Sequence, residues 1–368
     1  DGWRLRSASL LGKALLPLAI PAASLAAALL AVALLVAIIG QSPAVALGIL
    51  VKGSLGSLEG LGYTLFYATD YIFAGLAVAL PFQAGLFNIG GEGQAALGGL
   101  GATLAAFALK GLPAPLTLAA AVAAAALFGA AWAFLPAYLQ ARRGSHLVVT
   151  TIMFNFIAAA LLTWLLAHVL IAPGQSALET RAFARPLWLP TLADWSSAHG
   201  IDAGSAPLNP TALLALGAGL FYALLLRRTP LGYEIRACGL NPAAARTAGI
   251  SLLRTTVLSV SFGGAFAGLL ALNELFGAQH RLVLGFTAGA GFTGIAVALT
   301  GRGRALGIVF AALLFGALAQ GGAELSFTMP AVTRDAVILA EGVVIFVCGA
   351  LDGAVRRHVT RFFRLARG

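Results

Sequence analysis

Charge is scarce in this sequence. Only 10% of its 368 residues are Asp, Glu, Lys or Arg, while 60% are hydrophobic and the mean hydropathy is +0.93. Soluble domains carry about 25% charged residues, so a water-exposed globule is excluded. Cysteine is nearly absent. Cys238 and Cys348 stand far apart in no metal-ligand or redox spacing, which excludes a disulfide framework and a zinc site and leaves both as small apolar fillers. Neither Lys13, Lys52 nor Lys110 stands in a G-x-x-x-x-G-K-[ST] stretch, so the chain has no phosphate loop with which to hold ATP. The histidines, His146, His168, His199, His280 and His358, show no catalytic or metal spacing, and nothing supports an enzyme. The short alternating segments of a membrane barrel are missing too.

Apolar runs are what the sequence has in abundance. A membrane-spanning helix takes about 20 mostly apolar residues, and such runs recur from Ala14 almost to Ala350. They predict an all-α, polytopic transmembrane helical bundle of about ten spans, near 14–39, 62–80, 92–109, 114–139, 147–171, 209–227, 252–273, 289–301, 304–322 and 335–351. The first run is too long for a signal-peptide core and ends at no clear small-residue cleavage site, which predicts an uncleaved first helix.

A net charge of +10 would suit a nucleic-acid binder if the basic residues shared a face, but they fall between apolar runs, so no nucleic-acid partner is predicted. With the N-terminus inside, cytoplasmic segments and span ends hold Arg4, Arg6, Lys13, Arg142, Arg143, Arg227, Arg228, Arg236, Arg246, Arg254, Arg302, Arg304, Arg356, Arg357, Arg361, Arg364 and Arg367. The other side holds Lys52, Lys110, Arg181, Arg185, Arg281 and Arg334, only six of the 23. Cytoplasmic loops carry the Lys and Arg excess, so both termini are predicted to be cytoplasmic. Two connections are long enough to be elements. The one at 172–208, rich in Pro, Ser, Trp and Asp, is predicted to be an extracytoplasmic cap. The other, 227–251, reads "RRTPLGYEIRACGLNPAAARTAGIS": Pro230 opens a helix, Gly239 breaks it, Asn241-Pro242 restarts it and Gly249 ends it. Two short helices at the cytoplasmic surface fit this pattern, and so does an ordinary basic interfacial loop.

Between Gly62 and Leu109 the chain is hard to read as two plain spans. The connection near Pro81 to Gly91 holds no Lys or Arg and carries Phe82, Leu86, Phe87 and Ile89, which suits a segment dipping into the membrane. A broken helix is tolerated there only where it is buried in protein or lines a water-filled cavity. Gly90, Gly91 and Gly93 supply the break. Asn88 and Glu92 fit two roles, capping the following helix or facing a translocation path.

Four blocks carry a resemblance. "GLFNIGGEGQ" at 85–94, "RRGSHLVVTTIMFNFIA" at 142–158, "EIRACGLNPAAARTAGI" at 234–250 and "GAGFTGIAVALTGRGRALGI" at 289–308 together resemble the permease subunit of bacterial ABC importers of the nucleoside type, relatives of the branched-chain amino acid and ribose permeases. The resemblance covers about 62 to 351 and leaves out the 172–208 connection and both termini. It implies an ABC importer permease fold, for which spans two to five and seven to ten could form an inverted repeat, and one transmembrane permease domain over 1–368. It implies that 227–251 is a coupling-helix loop docking on a separate ATPase through Glu234, Arg236, Gly239, Asn241, Arg246 and Gly249. It further implies no cofactor in this chain, ATP and Mg on the ATPase, a second and different permease chain, an extracytoplasmic solute-binding protein, and the bacterial inner membrane.

A nucleoside path wants aromatic faces and a few polar groups. Candidates are Asp70, Phe87, Asn88, Glu92, Gln94 and Asn155, with Glu274, Glu341, Phe154 and Phe156 beside spans. Asp70, flanked by Tyr67 and Tyr71, equally fits a tyrosine hydrogen bond or a span end, and Asn155, four residues after Thr151 on one helix face, equally fits a bond between helices. The alternatives in function are a simple sugar or branched-chain amino acid as cargo, or an ion-coupled carrier using Asp70, Glu92 and Glu341. No arginine stands at the middle of a predicted span to meet a charged cargo. An ion-driven carrier needs no docking helix, so 227–251 separates the two mechanisms.

Overall fold

The computed structural model describes residues 32–172 and 174–333, with 26, 29–30, 336–339 and 342–343 besides. More than half of each of the spans expected at 14–39 and 335–351 lies outside the described residues, and Glu341 and Cys348 lie outside them too. Among the described residues the structure is helical, and strand pairing is limited to two isolated bridges, Ile171 with Thr180 and Glu179 with Val283. The chain forms two compact units. One holds the described residues up to Gly56 and from Ala317 onward, and the other is Ser57–Gly316.

The first unit contains α1 (Pro43–Leu55), where apolar runs alone place no element. Its signals are short-range: Ser42 stands before Pro43, whose fixed φ suits a first helical turn, and Gly56 ends the helix. A search for runs of 20 passes over them.

The larger unit holds α2 (Leu58–Gln83), α3 (Gly91–Ala108), α4 (Ala114–Arg143), α5 (Leu147–His168), α6 (Leu192–Ala198), α7 (Thr211–Arg228), α8 (Pro230–Leu240), α9 (Pro242–Thr247), α10 (Leu252–Leu272) and α11 (Ala290–Thr300). A π-helical stretch, Asn273–Gln279, continues α10, and α12 (Ala305–Thr328) carries the chain out of this unit. Six described helices are long and apolar enough to cross a membrane: α2, α4, α5, α7, α10 with its π-helical extension, and α12. The span expected at 289–301 is α11, whose 11 residues reach roughly 16 Å, about half the hydrocarbon thickness, so it does not cross alone.

α2 is buried along most of its length, while α5 buries only a stripe of Leu147, Thr151, Asn155, Ala158, Leu162 and Leu166 and turns Met153, Phe156 and Trp164 outward. Such an apolar outer face belongs in lipid. α10 packs on α2, α3 and α4. Small residues make this possible: α4 buries Thr117, Ala121, Ala125, Gly129, Ala133 and Ala137, one in every four, and Ala125, Gly129 and Ala133 of that stripe lie against Gly264 and Gly268 of α10. A methyl group on Gly98 of α3 would overlap the Cα of Gly268, and one on Gly268 would overlap the carbonyl of Ala125. In lipid, helix association draws on such backbone-to-backbone van der Waals contact instead of hydrophobic burial.

Candidate functional site

The break between α2 and α3 is the polar block of the sequence. α2 continues through Pro81 to Gln83, Gly85 turns the chain at φ +74, and α3 starts at Gly91. Asn88 is fully buried but is not the N-cap, a position that Gly90 takes without a side-chain bond. Asn88 instead pairs with Gln94: its Nδ2 donates to Gln94 Oε1 at 3.0 Å and its Oδ1 accepts from Gln94 Nε2 at 3.1 Å and from the Gly90 N–H at 3.0 Å. The α5 stripe satisfies the rest. Thr151 Oγ1 accepts from the Ile89 N–H at 3.3 Å, Asn155 Nδ2 donates to the Ile89 carbonyl at 2.9 Å, and Asn155 Oδ1 accepts from the Gly93 N–H at 2.9 Å. Phe87, half-buried, stands edge-on to Phe82 with centroids 6.1 Å apart.

Glu92 does lie in the first turn of α3, yet its carboxylate serves another helix. Thr287 Oγ1 and the Gly289 N–H donate to Oε1 at 2.5 and 3.0 Å, and the Gly291 N–H donates to Oε2 at 2.9 Å. Gly285, Ala288 and Gly289 all have positive φ, which turns these N–H groups toward one point at the start of α11. The helix dipole and the free first-turn donors favour an anion there, and Glu92 supplies it. The two interrupted segments, 84–90 and 280–289, are thereby joined.

Asp70 enters a different cluster. It is 2% exposed, and Asn273 Nδ2 donates to its Oδ1 at 3.0 Å and to the Phe66 carbonyl at 3.1 Å. Asn273 Oδ1 accepts from Asn209 Nδ2 at 2.9 Å and Thr211 Oγ1 at 2.7 Å. Asn273, at the start of the π-helical stretch, was not singled out in the sequence. Only its polarity inside an apolar run marks it. Glu274 beside it accepts from Gln279 Nε2 at 2.9 Å. Of the sequence candidates, the structure brings Asn88, Gln94 and Asn155 to one break, places Glu92 between the two breaks, and puts Asp70 in a separate cluster. Those among the described residues that are polar are bonded to protein.

The 172–208 segment is folded onto the stretch after α10. Thr180 and Phe183 N–H groups donate to the carbonyls of Leu282 and His280 at 2.9 and 2.8 Å, and the Leu189 N–H donates to the Phe276 carbonyl at 2.9 Å. Arg281 pairs with Glu179 at 2.7 Å, and His280 stacks on Trp188 with centroids 3.7 Å apart. Burial holds the His280 imidazole below its usual range, while hydrogen bonds from Thr191 hold Asp194, in a capping box at the start of α6, below the usual carboxylate range. At the N-terminal end of α2, Glu59 Oε1 accepts from the Ser205 N–H at 2.8 Å.

The opposite end of α2 meets the 227–251 segment. α8 starts at the cap Thr229 with Pro230 in its first turn, and α9 starts at Asn241, whose Oδ1 accepts from the N–H groups of Ala243 and Ala244 at 3.0 and 3.1 Å. The helix break therefore falls at Asn241, not at Gly239, through which α8 runs intact. Glycine at 239 answers to space: a Cβ there would overlap the Gln83 carbonyl. Glu234 and Arg236 are half-buried, while Asn241, Arg246 and Gly249, at φ +83, are exposed. Leu240 is 87% and Tyr233 61% exposed, with Arg227, Arg228, Arg254, Arg302 and Arg304 exposed around the same end of the bundle. Burial raises the Cys238 thiol pKa, which keeps it out of nucleophilic chemistry. α8 and α9 are thus an exposed pair of short helices with a basic surround.

Residues 60–347 match the family model of the permease component of branched-chain amino acid transport systems. The chain belongs to this permease family. It is 34% identical over 344 residues to the guanosine ABC transporter permease protein of Bacillus subtilis, covering 92% of this chain and 95% of that one. It is 33% identical over 307 residues to a nucleoside ABC transporter permease protein of Lactococcus lactis (81% and 80%) and 36% identical over 291 residues to a glucose ABC transporter permease protein of Haloferax volcanii (78% and 76%). As a permease of this family it is a membrane-embedded subunit of an ABC transporter and not an enzyme, and an ATPase partner powers it.

Proposed function

We propose that this chain is the permease subunit of an importer that moves nucleosides into the cytoplasm. The observation that carries the cargo is the likeness to guanosine and nucleoside permeases over most of both chains. An uncharged solute is consistent with the carboxylates of Asp70 and Glu92 already accepting hydrogen bonds from the protein's own donors. A simple sugar is the second reading, favoured by the glucose relative.

In this reading the basic end of the bundle, with α8 and α9, faces the cytoplasm and the 172–208 cap faces out, as the positive-inside rule prefers. Both termini are cytoplasmic, about ten crossings are made, and the membrane is the bacterial inner membrane. Glu234, Arg236, Gly239, Asn241, Arg246 and Gly249 belong to the coupling ledge for the ATPase, where ATP and Mg act. A second permease chain completes the pathway and an extracytoplasmic binding protein delivers the solute. Asn88, Glu92, Gln94 and Asn155 hold the interrupted helices in shape, and Phe87 offers the exposed part of its ring to the base of the solute.

The test is uptake by the whole complex reconstituted in vesicles, with labelled guanosine and labelled glucose compared. Guanosine uptake that needs ATP and the binding protein is expected. ATP-driven uptake of glucose alone would move the assignment to a sugar, and uptake by the chain without its ATPase on an ion gradient would overturn it.

A further inference from the structure

Four pieces of the larger unit converge on the C-terminal end of α2. Gly239 of α8 lies so close to the Gln83 carbonyl that a Cβ there would overlap its oxygen, and Gly85 is in ordinary contact with Gly239, where a Cβ on Gly85 would stand 3.5 Å from the Gly239 Cα. The Gln83 side chain reaches the other way and donates from Nε2 to the Gly303 carbonyl at 3.3 Å. Tyr222 of α7, which leads directly into α8, donates its hydroxyl to the same carbonyl at 2.6 Å and is buried. Gly303 has φ +61 and sits in the turn that opens α12.

We propose that Gln83 and Tyr222, meeting at the Gly303 carbonyl, are positioning residues that pass motion of α8 and α9 into α2. The proposal rests on the coupling role assigned to α8 and α9 above and names the route inward from them. Three features carry it. No flexible side chain separates α8 from α2, because Gly239 brings backbone to backbone, so displacement of α8 must displace the end of α2 or open a gap. The shared acceptor clamps α7, α2 and the start of α12 as one body: Gln83 ends α2, which is buried along most of its length, and Tyr222 is itself buried on α7. Finally, α2 has 26 residues, roughly 39 Å of rigid helix, and its far end is bonded to the 172–208 segment through Glu59 and Ser205. A push on one face of the bundle is thereby delivered to the other without passing through the 84–90 and 280–289 breaks.

The experiment uses the complete complex in lipid vesicles, with Gln83→Leu and Tyr222→Phe singly and together, and Leu61→Cys labelled with a spin probe in a chain whose Cys238 and Cys348 are alanine. Leu61 is exposed near the far end of α2. In the unchanged Gln83 and Tyr222 background, ATP is expected to shift the probe spectrum. In the double variant the shift is expected to vanish and guanosine uptake per ATP hydrolysed to fall by about tenfold or more, the scale of two net hydrogen bonds, while the ATPase still co-purifies and hydrolyses ATP. Uptake per ATP unchanged in the double variant would overturn the proposal, as would a probe that never responds to ATP, or loss of uptake that merely follows loss of bound ATPase. A probe that responds in a complex that takes up no nucleoside leaves the route standing and sinks the cargo assignment instead.

Discussion

Replacing Asn155 by alanine removes one side chain that holds both a donor and an acceptor of the α2–α3 break. Its Oδ1 serves the Gly93 N–H and its Nδ2 serves the Ile89 carbonyl, each at 2.9 Å. Gly93 is in the first turn of α3, where an N–H has no partner within the helix, and the site is buried. Leaving a buried polar group unsatisfied costs about 1–3 kcal/mol, so the two together predict a loss of about 2–6 kcal/mol. Water is poorly placed to replace the amide. The helices are so close that a Cβ on Gly93 would stand 2.9 Å from Asn155 Oδ1 and 3.0 Å from its Cα. Thr151→Val removes the acceptor for the Ile89 N–H, one atom group away on the same segment, so the double variant should lose less than the sum of the two single ones. Thermal denaturation in detergent gives the order of stabilities, and amide exchange at 86–93 reports where the loss is felt. If Asn155→Ala melts with the unchanged protein and its Gly93 amide stays protected, Asn155 does not hold the break and its polarity needs another explanation, such as contact with solute.

Three further expectations come from neighbouring contacts. Gly98→Ala places a methyl group on the Cα of Gly268, and overpacking of this kind costs about 1–3 kcal/mol, read as a lowered melting temperature; Gly48→Ala, with open space around it, is the control and should change little. Glu92→Gln keeps the shape but presents an amide donor to one of three donors from 287–291 and should destabilise by about 2–4 kcal/mol, with exchange rising at Gly289 and Gly291; an equally stable variant would show that charge is not what holds the loop. Burial lowers the His280 pKa, so its neutral form favours the docked 172–208 segment; that stabilisation is full above the ordinary imidazole pKa of about 6.5 and is lost as pH falls from there through the lower folded value. The fluorescence difference between the unchanged protein and Trp188→Phe should therefore change on acidification, and His280→Gln should abolish that change.

Element positions were legible because lipid imposes a length. The runs at 114–139, 147–171 and 304–322 appear as Ala114–Arg143, Leu147–His168 and Ala305–Thr328. Where a different constraint governs, the reading from apolar runs fails. α1 is set by Ser42, Pro43 and Gly56, and α11 is half a span because its N-terminus is closed by Glu92 from another helix, a contact that spans 197 residues of chain to Gly289 and leaves no local trace. Gly239 shows the same limit. From sequence a glycine between two short helical stretches reads as a turn, but here it is the only residue that fits between α8 and the end of α2, and Asn241 supplies the turn. The polar candidates were identifiable as polar residues in apolar surroundings; which partner each one takes was not, because every partner of Asn155 and Asp70 comes from a different part of the chain.

The interruptions in these helices are more than local breaks tolerated one by one. Exposed backbone polar groups in hydrocarbon cost several kcal/mol each, so each break needs donors and acceptors from elsewhere. The 84–90 break takes them from Thr151 and Asn155 of α5, and through Glu92 it closes the 280–289 break. The 280–289 break in turn is the floor on which the 172–208 segment is bonded, through Leu282 and Leu284. The 301–303 turn is held by Tyr222 and Gln83, and Gln83 ends the helix whose other end holds Ser205 of that same segment. The satisfied breaks thus form a closed circuit around α2. None can rearrange alone without stranding a polar group in its neighbour, and a structure wired this way moves as a few bodies exchanging whole sets of bonds, which is the kind of motion an external ATPase can drive.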